Sequence, residues 1–102
     1  MEIKLIMEDA NWDLIPEHMQ GAMKRYLFQG LQPGSFLEAV LTNNLSEAFR
    51  RADDININRI ADYVRFLTWH APAACWGSEE AYSRWVECGG FMGIMEKETK
   101  DV

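Results

Sequence analysis

The sequence predicts a small all-α protein, a bundle of about four helices with room for short strands at its two ends. Three observations predict it. Apolar residues recur at helical spacing in four stretches, short polar loops separate them, and recognisable start and stop residues bracket most of them. The chain has 102 residues, 48% hydrophobic and 12% aromatic. That suits one domain over 1–102, with residues 1–14 as an N-terminal arm and 96–102 as a flexible acidic tail. A chain this short buries roughly two-thirds of its unfolded surface, so a ligand site is expected in a surface cleft or between subunits.

In chain order, Ile3, Leu5 and Met7 alternate as in a short strand. Trp12 then anchors a loop rich in Asp and Asn. Pro16 and Glu17 suit the first turn of a helix. Met19, Ala22, Met23, Tyr26 and Leu27 form its apolar stripe, and Gly30 stops it. A second helix opens on a capping box, Ser35 with Glu38, and carries Leu37, Val40, Leu41, Leu45, Ala48, Phe49 and Ala52 to about residue 53, with a bend at Asn43-Asn44. Asp53, Asp54 and Asn56 cap a third helix from about Ile57 to His70, ended by Ala71-Pro72. Ser78, Glu79 and Glu80 open a fourth, closed by Gly89-Gly90, and Phe91 to Met95 reads as a last strand or turn.

Charge narrows the partners. Ten Lys and Arg against sixteen Asp and Glu give a formal net charge of −6, which disfavours sequence-independent binding of duplex DNA. The apolar runs are too short to span a membrane. Met1-Glu2-Ile3-Lys4 opens with mixed charge and no long apolar core follows, so no secretory signal is expected. Cys75 and Cys88 lack the paired spacing of a zinc site, and both are expected to be reduced thiols. Neither a metal nor a cofactor is expected.

No catalytic arrangement stands out. Cys75 lies near His70 and Ser78 in sequence, but an Ala-Ala-Cys-Trp turn reads as a small apolar thiol rather than a nucleophile. Asp53-Asp54 and Glu79-Glu80 read as helix-start charges, because neighbouring residues on a helix diverge by about 100°. Pro33-Gly34-Ser35 reads as a helix start rather than a phosphate loop, and His18 as a surface residue. The middle of the chain is different: residues 46–70 balance four acids with four arginines, Arg50, Arg51, Arg59 and Arg65. Arg59, Tyr63, Phe66 and His70 share one face of the third helix, with Trp69 and Trp76 flanking the next loop. Guanidinium and aromatic planes together suit a nucleotide, whose phosphate pairs with Arg while its base stacks. The candidate ligand-binding residues are Arg50, Arg51, Arg59, Tyr63, Trp69, His70, Trp76 and Ser78. The competing reading makes the rings core and pairs the arginines with Asp53, Asp54 and Asp62.

With the helices laid out, a longer pattern emerges: Tyr26, Gly30, Pro33-Gly34-Ser35-Phe36-Leu37, Val40-Leu41 and Asn44, then Ala48, Arg51-Ala52-Asp53 and Asn58, then Ala71-Pro72, Cys75-Trp76-Gly77-Ser78 and Trp85. Over roughly residues 15–90 this resembles a family of small bacteriophage and prophage proteins. The resemblance implies context rather than chemistry: a phage accessory protein acting in the host cytoplasm during infection. In that setting the expected function is non-catalytic, the capture of a nucleotide-derived defence signal by a homo-oligomer. The alternative is an acidic inhibitor that docks directly on a host defence or nucleic-acid-binding complex.

Overall fold

Pro16 stands extended immediately before the first long helix, α1 (Glu17–Gln29), which closes on Gly30 in the left-handed conformation at φ 67°. This is the stripe-and-stop pattern expected from the sequence. The structure, a computed structural model, describes residues 9–100, with side chains to residue 96. After α1 come α2 (Ser35–Leu41), α3 (Leu45–Arg51), α4 (Ile60–His70), α5 (Glu79–Cys88) and α6 (Gly90–Lys100), with single 3₁₀ turns at Trp12–Leu14, Asn56–Asn58 and Ala73–Cys75. The described residues are thus all-helical, with six α-helices where about four were expected, and contain no strand. The strand expected from Ile3, Leu5 and Met7 lies outside them.

Two differences account for the extra helices. The long second helix is broken where Asn43 takes a left-handed backbone, φ 61°. Its amide donates to the Val40 carbonyl and that of Asn44 to the Ala39 carbonyl (2.8 Å), closing α2 in the manner of a Schellman turn. Asn is among the few residues that enter this conformation at low cost. The Asn44 side chain then accepts from the Glu47 amide and starts α3. The second difference is α6: Phe91 to Met95 are helical, not a strand or turn, and the helix continues through Lys100, into the expected tail.

The capping box is also corrected. Gly34, not Ser35, is the N-cap of α2, without a side-chain cap bond. The Glu38 carboxylate instead accepts from the Tyr82 hydroxyl at 3.0 Å. Ser78 does cap α5, accepting from the Ala81 amide.

Tyr26 ties the core together. Its hydroxyl donates to the Cys75 carbonyl (2.6 Å), its carbonyl accepts from the Trp85 indole (3.0 Å), and its ring stacks on Tyr82 with centroids 5.5 Å apart. One residue thus joins α1 to α5 and to the Ala73–Cys75 turn. Around it pack Met23, Leu27, Leu37, Leu41, Phe66 and Leu67, all fully buried. At the far end of α1, Gly30 meets Gly90 backbone to backbone: a Cβ on Gly90 would lie 2.7 Å from the Gly30 nitrogen and the Leu27 carbonyl oxygen. This close crossing brings α6 back alongside α1.

Candidate functional site

The face of α4 chosen from the sequence points inward. Tyr63 and Phe66 are fully buried. Tyr63 stands edge-on to Phe36, and its hydroxyl donates to the buried Asn56 side chain at 2.8 Å. Burial pushes the Tyr63 phenol well above its ordinary range. Phe66 packs on Trp12 on one side and His70 on the other. Tyr63 is therefore enclosed in the core and offers no open ring to a ligand.

The arginines are paired locally. Arg50 and Arg51 both reach Glu47, one turn back on α3. Arg59 and Arg65 both reach Asp62, at 2.7 Å and 3.3 Å. The expected partners Asp53 and Asp54 are not among them. Asp53 accepts from the Ile55 and Asn56 amides and meets His18 at 3.0 Å. Those contacts hold its carboxyl below the ordinary carboxylate range, the Asn56 amide contributing most. Arg59 also donates to the Asp13 carbonyl at 2.7 Å, fastening the Trp12–Leu14 turn to α4. With Pro16, Glu17, His18 and Ile55 it lines an open hollow of about 500 Å³.

Of the remaining candidates, Ser78 is spent on its cap, Trp76 is half-buried against the core, and His70 is half-buried beside Phe66. Trp69 differs from them all, standing 78% exposed at the end of α4. With Ala61, Val64, Arg65 and Thr68, all exposed, it forms the outer face of that helix. Trp69 and Arg65 are one turn apart, at the i, i+4 spacing that makes side chains neighbours.

The thiols have different surroundings. Cys75 is buried, and burial pushes its thiol up to about 12, which favours the protonated form at neutral pH. Cys88 is exposed. Among the described residues no group of three or more His, Cys, Asp or Glu side chains is placed to hold a metal ion. None of the described helices is long and apolar enough to cross a membrane.

A second concavity escaped the sequence reading. Between α1 and α6 lies a groove of about 490 Å³, lined by Lys24, Arg25, Phe28 and Gln29 on one side and Phe91, Met92 and Met95 on the other. The signal was present as the i, i+4 pairs Lys24 with Phe28 and Phe91 with Met95. It could not be combined while residues 91–95 read as a strand or turn. Comparison with family models, curated proteins and solved structures gives no match for this chain.

Proposed function

We propose that the protein is a non-catalytic binding protein that docks on a basic protein surface through the outer face of α4. The observation that carries this reading is Trp69, a large aromatic side chain left 78% exposed beside Arg65. Trp and Arg are the residue types that dominate interface energetics when buried against a partner. The net charge of −6 gives the long-range field that steers a basic partner toward the protein, while Arg65 on the face itself is paired with Asp62. The resemblance to phage proteins supplies the setting, a host defence or nucleic-acid-binding complex in the host cytoplasm.

Capture of a nucleotide-derived signal by a homo-oligomer is the second reading. It keeps one specific support, an exposed indole next to a guanidinium, which suits a stacked base and a phosphate. It ranks below docking because Tyr63 is enclosed, Ser78 is a cap and the four central arginines share two carboxylates.

The test is cross-linked capture from host extract, comparing the wild-type chain with Trp69→Ala. The docking reading expects a defined host protein that is retained at low salt, fades as salt rises, and is lost with Trp69→Ala while the variant stays folded. Identical capture by both chains would overturn it.

A further inference from the structure

We propose that the groove between α1 and α6 is a binding site for a small amphipathic anion, an aliphatic chain ending in a carboxylate. Its walls are apolar: Phe28 from α1, and Phe91, Met92 and Met95 from α6, with Phe28 and Phe91 in ring contact at 5.7 Å. Its volume, about 490 Å³, lies within the range of small-molecule sites, roughly 300–1,000 Å³. Met92 and Met95 are largely exposed, and their flexible, polarisable side chains can close over ligands of differing shape.

The charge at the rim selects the class of ligand. Lys24 and Arg25 line the groove, and among the described residues its lining carries no carboxylate. In contrast to the four central arginines, neither cation is ion-paired among the described residues. The Lys24 ammonium rests 5.0 Å from the centre of the Trp12 ring, an attraction worth only about 0.5–1 kcal/mol at an exposed site, so an anion can draw it away. The Arg25 guanidinium lies over Gly21, 3.1 Å from where a Cβ would stand, so the absent side chain leaves it room beside the groove. In a protein of net charge −6 these two cations are a local exception, set where an apolar chain would need its charged end held.

Dimensions distinguish a small molecule from a docked helix. From Lys24 to Gln29 the groove follows about 7.5 Å of α1, and from Phe91 to Met95 about 6 Å of α6. A partner helix anchored at i, i+4 and i+7 needs about 10.5 Å of continuous groove. One short apolar chain fits that length; a row of helical anchors does not.

The test is NMR of the full chain with labelled methionine methyls, titrated with hexanoate and, separately, with hexanol, whose short chains match the length of the groove. The site predicts saturable one-to-one shifts at Met92 and Met95, with the buried Met23 unmoved as a control for folding. Hexanoate should bind at least about tenfold more tightly than hexanol, the size expected of a charge-assisted hydrogen bond. Lys24→Gln with Arg25→Gln, both exposed positions, should abolish that preference. Three results would overturn the proposal. These are absence of saturable shifts at Met92 and Met95, equal affinity for acid and alcohol in the wild-type chain, or the same shifts from an acidic apolar peptide but not from hexanoate.

Discussion

Removing the Tyr63 hydroxyl tests whether this residue belongs to the core or to a site. Tyr63→Phe keeps the ring against Phe36 and deletes the hydroxyl that donates to the Asn56 side-chain oxygen, at 2.8 Å. Asn56 is 2% exposed, so water cannot readily replace the lost donor. A buried acceptor left unsatisfied costs about 1–3 kcal/mol. For a domain of this size, that lowers the melting temperature by roughly 4–20 °C. Trp69→Ala on the same helix removes a larger but exposed side chain and should change stability by less than about 0.5 kcal/mol. Urea unfolding followed by circular dichroism, at matched m-values, measures both. Pairing Tyr63→Phe with Asn56→Leu should recover part of the loss, since two apolar partners leave nothing unsatisfied. A cost below about 0.5 kcal/mol for Tyr63→Phe, or one no larger than for Trp69→Ala, would place the Tyr63 hydroxyl outside the core.

Three further predictions follow from particular contacts. Gly90→Ala should be strongly destabilising: left-handed backbone costs a non-glycine residue roughly 1–2 kcal/mol, and a Cβ 2.7 Å from two backbone atoms adds about 1–3 kcal/mol of overpacking; thermal unfolding within about 0.5 kcal/mol of wild type would contradict the crossing. Gly21→Ala should instead stabilise α1 by about 0.5–1 kcal/mol, because only the flexible end of Arg25 must yield; a destabilised variant in the same assay would show that the guanidinium is held in place. Burial raises the Cys75 thiol from 9.0 to about 12, so the fold requires the protonated form while the unfolded chain ionises first. Stability should hold below about pH 9 and fall as pH rises toward 12, by up to about 1.4 kcal/mol per unit from this group. Tyr82, raised from 10.0 to about 12 by burial and then by its bond to Glu38, adds to the loss above pH 10. Alkaline urea titrations in which Cys75→Ala keeps the full slope just above pH 9 would sink that assignment.

Local chemistry made part of the fold legible in the sequence. The α1 stripe with its terminal Gly30, the end of α4 at Ala71-Pro72 and the Ser78 cap each depend on residues within a few positions of one another. What escaped depended on distant contacts. Glu38 fits a capping box until Tyr82, forty-four residues away, engages its carboxylate. Gly90 and Gly93 argue locally against a helix, but Phe91 packs against Trp85 and Phe28, and this packing accompanies a helical α6. The same holds for the sites. Helical spacing placed Arg59, Tyr63, Phe66 and His70 on one face, yet it cannot say whether that face looks outward. Phe36 and Asn56 enclose Tyr63, so the exposed face is the opposite one, with Arg65 and Trp69. The α1–α6 groove joins residues 24–29 to 91–95, which the Gly30–Gly90 crossing and the Phe28–Phe91 contact bring together.

The proposed docking on a protein surface, rather than on a nucleotide, is tested by thermal unfolding of the purified chain against cyclic and linear nucleotides and NAD-derived signals. With the central arginines paired to Glu47 and Asp62 and Tyr63 enclosed, the melting temperature should stay within about 1 °C across the panel. A ligand held at 100 times its Kd stabilises by about 2.7 kcal/mol, so a rise of roughly 10 °C or more with any one nucleotide would contradict the account and restore signal capture as the function.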